Sequence, residues 1–211
     1  MVKIKFMYQD LFINEESKCK KNIELLNILD EVIKTEKFYI LRGGLAIALY
    51  YKKIYRCHKD IDFYFDNKDF SFWLSFFRSK YYLKKSRIPF GCQDKMYEIS
   101  NNKEHIGHIV FIDNINNKKN ILKQIYNTKE CADVQIISKY SKFMHMNMTD
   151  KIKEIENGED PIMKIDYQDK QINILNIKYL EGQKIFASAR KLQIEERNLD
   201  SDLKFYFNLS I

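Results

Sequence analysis

The chain has 211 residues, 45% of them hydrophobic and 14% aromatic, with only 6 Gly and 2 Pro. That is enough apolar material for one sizeable core, and it excludes an extended disordered or linker-rich chain. The formal net charge of +7 suits an anionic partner such as a nucleotide or RNA, and equally a lysine-rich solvated surface.

In chain order, residues 22–36 ("NIELLNILDEVIKTE") carry Leu25, Ile28, Leu29, Val32 and Ile33 at helical spacing. "FYIL" at 38–41 reads as a strand that stops at Gly43-Gly44, and "LAIALYYKK" at 45–53 as a helix opening at those glycines. "DIDFYF" at 60–65 is a second strand, and "KDFSFWLSFFRSKYY" at 68–82 a largely buried helix. "MYEIS" (96–100) and "HIGHIVFI" (105–112) pattern as a hairpin across "NNKE". A helix over 116–130 and a strand over 133–138 follow. A second hairpin spans 162–175, turning at Gln168-Asp169-Lys170, and helices begin near Tyr179. The expected fold is α+β: a mixed sheet flanked by helices, with a domain over 1–177 and a helical segment over 178–211 packed on it.

Cys19, Cys57, Cys92 and Cys131 are widely spaced and form no CxxC, so a zinc site has little support. No apolar run reaches membrane-spanning length and no apolar leader is visible, which favours a cytoplasmic protein with reduced thiols and no membrane partner. His105 and His108, three apart in a strand, are expected on opposite faces.

The chemistry concentrates in "RGGLAIALYYKKIYRCHKDIDFYF", residues 42–65. A strand ending at Gly43-Gly44 and opening a helix offers backbone N–H groups and the positive end of a helix dipole, which suit phosphate. There is no Walker-type or GxGxxG loop. Asp60 and Asp62, alternate residues of a strand, face the same way. Two such carboxylates repel unless a cation lies between them, and hard oxygen ligands suit Mg²⁺. Read alone, DxD is first a pair of surface aspartates at a strand end, beside Lys59 or Arg56. Combined with the glycines, it makes a triphosphate cradle beside a metal site.

Gly43-Gly44-Leu45-Ala46 followed by Arg56-Cys57-His58-Lys59-Asp60-Ile61-Asp62 resembles the signature of the polymerase-β-like nucleotidyltransferase superfamily. The resemblance is strongest to aminoglycoside and lincosamide nucleotidyltransferases, although Leu45 and Ala48 stand where those often carry Trp and Asp. The tail at 179–205 is more similar to AbiEii-type toxin nucleotidyltransferases, whose helix carries a lysine that Lys184 matches; Lys191 shares its face. The resemblance implies a polymerase-β-like fold and transfer of a nucleoside monophosphate from an NTP, ATP first, to a small-molecule hydroxyl. A tRNA or protein acceptor, or nucleotide binding without catalysis, are the alternatives. It implies Asp60 and Asp62 as ligands of Mg²⁺ (two ions in the ternary complex). Gly43, Gly44, Arg56, His58 and Lys184 become nucleotide-binding candidates. A third carboxylate from a later strand is also implied: Asp113 first, then Asp133 or Glu98. Acceptor, preferred NTP and oligomeric state stay open.

Overall fold

A computed structural model describes residues 11–86, 95–102, 104–125, 160–181, 184, 205 and 206. Its first helix, α1 (Lys20–Lys34), buries Leu25, Ile28, Leu29 and Val32 of the stripe that the spacing predicts, with Leu26 added and Ile33 only partly buried. Each such side chain contributes about 1.5–3 kcal/mol when fully buried. Strand β1 (Tyr39–Arg42) ends where α2 (Gly43–Tyr50) begins. Helix α2 is apolar all round and buried from Gly44 to Leu49, as a helix enclosed by a core must be. It ends at Tyr51, and Lys52 turns the chain with φ +52.

Strand β2 (Ile61–Asp66) is followed by α3 (Phe70–Arg78) and β3 (Tyr82–Lys85). The apolar run read as one helix over 68–82 therefore yields a shorter helix and the start of a strand. Phe65 stacks on Trp73 at 4.0 Å between ring centroids, so α3 is fixed to β2 by aromatic packing. Both expected hairpins form: β4 (Met96–Asn101) with β5 (Glu104–Ile112), and β6 (Ile162–Tyr167) with β7 (Lys170–Leu175). Asn102 and Gln168 take the positive φ that their tight turns need. Helix α4 (Lys118–Ile125) occupies part of the range expected at 116–130; the strand expected at 133–138 lies outside the described residues. Residues 177–181 and 184 are helical.

The seven strands form one mixed sheet in the order β3-β4-β5-β2-β1-β7-β6. Strands β2 and β5 are parallel, as are β1 and β7; the other neighbours are antiparallel. This is the α+β class read from the sequence. Among the described residues no helix is long and apolar enough to cross a membrane.

Two local features depart from the expectations. Cys19 and Cys57 form a disulfide, where the sequence was read as carrying reduced thiols. The fold brings the N-terminus of α1 against the α2–β2 loop, so two cysteines 38 residues apart meet with Cα atoms 5.9 Å apart. The second feature is a register shift in the β4–β5 hairpin. Ile99 pairs with Gly107 but Ser100 pairs with His105, leaving Ile106 as an extra residue. Such a bulge resets the alternation of side chains. His105 and His108 therefore lie on one face, their ring centroids 4.6 Å apart, and not on opposite faces.

Closing a loop of this length is worth about 2–4 kcal/mol. The Cys19→Ser/Cys57→Ser double variant should lose that much unfolding free energy and so unfold at lower urea, and reductant should move the wild-type midpoint to match it. Identical midpoints with and without reductant would show that the bond contributes nothing.

Candidate active site

The site lies where β1 ends and β2 and β5 begin. Strand register sets four side chains in a row across the sheet: Arg42 pairs with Asp62, Asp62 with His108, and His108 with Glu98. Residues opposite each other in a sheet share a face. The bulge adds His105 to this face, with Nδ1 3.2 Å from Glu98 Oε1. Asp60 precedes β2, and its electrostatic neighbours include Asp62, Lys184, His105 and His108.

Two glycines make the row possible. Gly107 opposes Ile61, and a Cβ there would lie 1.8 Å from the Ile61 carbonyl oxygen, so only glycine lets β5 approach β2 beside the aspartates. Gly43 opens α2 with φ +78, and a Cβ on it would meet Asp62 Oδ2 at 2.8 Å. The N-terminus of α2 thus abuts the Asp62 carboxylate. That helix end is not capped by the side chain of its N-cap residue, Arg42. Its first N–H groups and positive dipole favour an anion.

The two aspartates are held in opposite ways. Burial pushes the Asp62 carboxyl up, but the Arg42 guanidinium and His108 outweigh it and bring it down to about 2. His108 donates its backbone N–H to Asp62 Oδ1 at 3.0 Å and sets Nδ1 3.3 Å from the same oxygen. Asp60 is raised by burial and by the Asp62 charge, only partly offset by Lys184, His105 and His108. The site therefore contains one carboxylate that is well compensated and one that is not. Arg42 is itself kept charged: burial opposes its charge, but Tyr64, Asp62 and Asp60 more than compensate. It lies over the Tyr64 ring, 4.8 Å from its centroid.

The candidate residues divide accordingly. Asp60, Asp62, Gly43 and Lys184 come together; Gly43 is half-buried and Gly44 buried behind it. Asp113 does not join them. It follows the far end of β5, five residues past His108, or about 16 Å at strand rise. There it is 73% exposed and paired with Lys95 at 2.8 Å. A parallel partner strand carries its two ends to opposite edges of the sheet, so "HIVFID" cannot serve a site at the head of β2. Beside Asp62 the neighbouring strand has His108, and the carboxylate in the row is Glu98. Asp133 and Lys191 lie outside the described residues.

His58 is 1% exposed, and its N–H donates to Asn22 Oδ1 at 2.8 Å, which places it in the interior behind the loop. Arg56 lies in the same loop; its carbonyl accepts from Asn22 Nδ2 at 2.8 Å, and the guanidinium that depresses Asp62 is that of Arg42. Sequence reasoning missed Arg42 and His108. The signal for Arg42 was its place as the last strand residue before the glycines.

Among the described residues, no group of three or more His, Cys, Asp or Glu is arranged to hold a metal ion by itself. Asp60 and Asp62 carry the hard oxygen donors that suit a cation shared with a ligand's own oxygens, and such a charge would relieve the repulsion at Asp60. A separate cavity of about 520 Å³, lined by Phe38, Lys118, Ile121, Pro161, Lys164 and Asn173, involves none of these residues.

No family model matches the chain, and no curated protein matches its sequence. A search of solved structures finds similarity to the crystal structure of the lincosamide antibiotic adenylyltransferase LnuA with lincomycin bound. The match has 18% identity and a TM-score of 0.46, over 74% of this chain and 81% of that one. A likeness of this extent assigns the chain no activity.

The unequal aspartates give stability changes of opposite sign. A depressed pKa contributes stability that is complete above the unfolded value of 3.8 and is lost as the pH falls through about 2. Asp62→Asn should thus destabilise the protein at pH 7, by about 2 kcal/mol. The raised pKa of Asp60 acts the other way: its ionised form costs stability at pH 7. Asp60→Asn should raise the thermal midpoint, and equal shifts in both variants would contradict the asymmetry. Gly43→Ala, strained at φ +78 and crowding Asp62, should cost about 1–3 kcal/mol and weaken anion binding. Titration with inorganic pyrophosphate would measure the latter.

Proposed function

We propose that the chain is a Mg²⁺-dependent nucleotidyltransferase that moves a nucleoside monophosphate from an NTP, ATP first, to a hydroxyl of a small molecule. The observation that supports this reading is Asp62 set against the N-terminus of α2, with Asp60 and Arg42 among its electrostatic surroundings and Lys184 among those of Asp60. That combination supplies what nucleotidyl transfer needs from a protein: neutralised phosphate charge and fixed geometry. Asp60 and Asp62 would hold the metal, which when bound would draw charge from the transferring phosphate and orient it.

The remaining work belongs to the chain's own groups. Gly43 and the first N–H groups of α2 receive the outer phosphates. Lys184 adds a positive charge beside Asp60, and Arg42 keeps Asp62 ionised. His108 fixes the Asp62 carboxylate through Oδ1, leaving Oδ2 toward Gly43. The position of Lys184 favours one second reading: that residue matches the lysine of toxin-type nucleotidyltransferases, whose counterpart here would act on tRNA.

Incubation with Mg²⁺, labelled NTPs and a panel of aminoglycosides, lincosamides and tRNA tests both acceptors. Transfer with pyrophosphate release is expected, falling on the order of 10³-fold in Asp60→Ala and Asp62→Ala. Equal activity in wild type and variants would end the catalytic reading. NTP binding without turnover on any acceptor would point to a nucleotide-binding protein instead.

A further inference from the structure

The β4–β5 bulge builds a second polar pair that the handling of phosphate does not use. Ile106, the extra residue, turns into the core with no exposure, which returns His105 to the face of Glu98 and His108. The His105 and Glu98 side chains are 34% and 39% exposed, so the pair opens to solvent while in contact at 3.2 Å. Glu98 engages Nδ1 of His105, and a carboxylate on one ring nitrogen sets the tautomer that leaves the lone pair on the other. His108 has a different task, since its Nδ1 is committed to Asp62.

Sheet order gives the pair a direction. The N-terminus of α2 lies on the β1 side of the aspartates, and Glu98 and His105 lie on the β5–β4 side. In-line displacement at phosphorus requires the attacking and leaving oxygens on opposite sides of the phosphorus. With pyrophosphate leaving toward α2, the acceptor hydroxyl enters from β5 and β4.

We infer that His105, oriented by Glu98, is the general base for the acceptor hydroxyl, an inference that rests on the nucleotidyltransferase reading. The acceptor oxygen bonds to the α-phosphorus as the bond from that phosphorus to the bridging oxygen breaks. Pyrophosphate departs on the α2 side, and the hydroxyl proton passes to Nε2 of His105. A histidine–carboxylate dyad thus does the work that the sequence resemblance assigns to a third carboxylate.

The test uses the full chain with the acceptor that the panel identifies. His105→Ala should lower kcat by about 10²–10⁴-fold. KM for the NTP should be unchanged, and added imidazole should restore part of the rate. Glu98→Gln, which still accepts from Nδ1, should lose less. Loss in Glu98→Gln equal to that in His105→Ala, with no rescue by imidazole, would make Glu98 the base and overturn the assignment. Wild-type kcat in His105→Ala would overturn it while leaving the nucleotidyltransferase reading intact. No transfer by wild type to any acceptor would sink both. Independently of activity, long-range ¹H–¹⁵N NMR should find the neutral His105 ring protonated on Nδ1; a proton on Nε2 would refute the assignment.

Discussion

Two carboxylates two residues apart lie together at the edge of a folded core, and most of the local architecture answers to that constraint. Asp62 is secured by Arg42 on one side and His108 on the other. Asp60 carries the residual repulsion. An uncompensated carboxylate would gain from an arriving cation, as the proposed function requires; a fully compensated one would not.

The packing nearby exists to allow this. A polar row across a sheet is costly unless every member finds a partner. Arg42 spreads over Tyr64, His108 reaches Asp62, and Glu98 reaches His105. On the other sides of the strands the core is conventional. Phe63, Phe65 and Trp73 stack on one another, and α2 is enclosed by apolar neighbours. The glycines at 43 and 107 are the two places where a side chain would have separated the strands or the helix from the aspartates.

Much of the fold was legible because its signals are local. The helical stripe of α1, the strand broken by Gly43-Gly44 and both hairpins follow from periodicity and turn residues read over a few positions. Asp62 was legible because it falls in a strand that its neighbours mark out, whereas Asp60 precedes β2 and strand alternation does not place it. Asp113 misled because strand direction is not written locally. A carboxylate at the end of "HIVFID" sits near the site only if β5 runs antiparallel to β2, and it runs parallel. The histidines misled for a related reason. A bulge depends on the partner strand, so counting residues from His105 to His108 gives the wrong face. The Cys19–Cys57 bond joins segments whose proximity is tertiary, and no spacing rule reveals it.

The connection from α2 to β2 has a mechanical role that its loop character conceals. Ile54 exchanges backbone hydrogen bonds with Leu11 and Ile13, and Asn14 and Asn22 hold the carbonyls of Tyr55 and Arg56. Phe205 stacks on Tyr55 at 3.9 Å between centroids, and Tyr206 donates to the Lys53 carbonyl. Segments from near both ends of the chain thus grip the nine residues between α2 and Asp60. Connections of this kind usually accept insertions freely. This one behaves as a keystone: lengthening it would spread the helix and the strand apart, and trimming the chain near residue 205 would loosen the site from a distance. Variation among proteins of this design should therefore collect in the hairpin turns and spare this crossing.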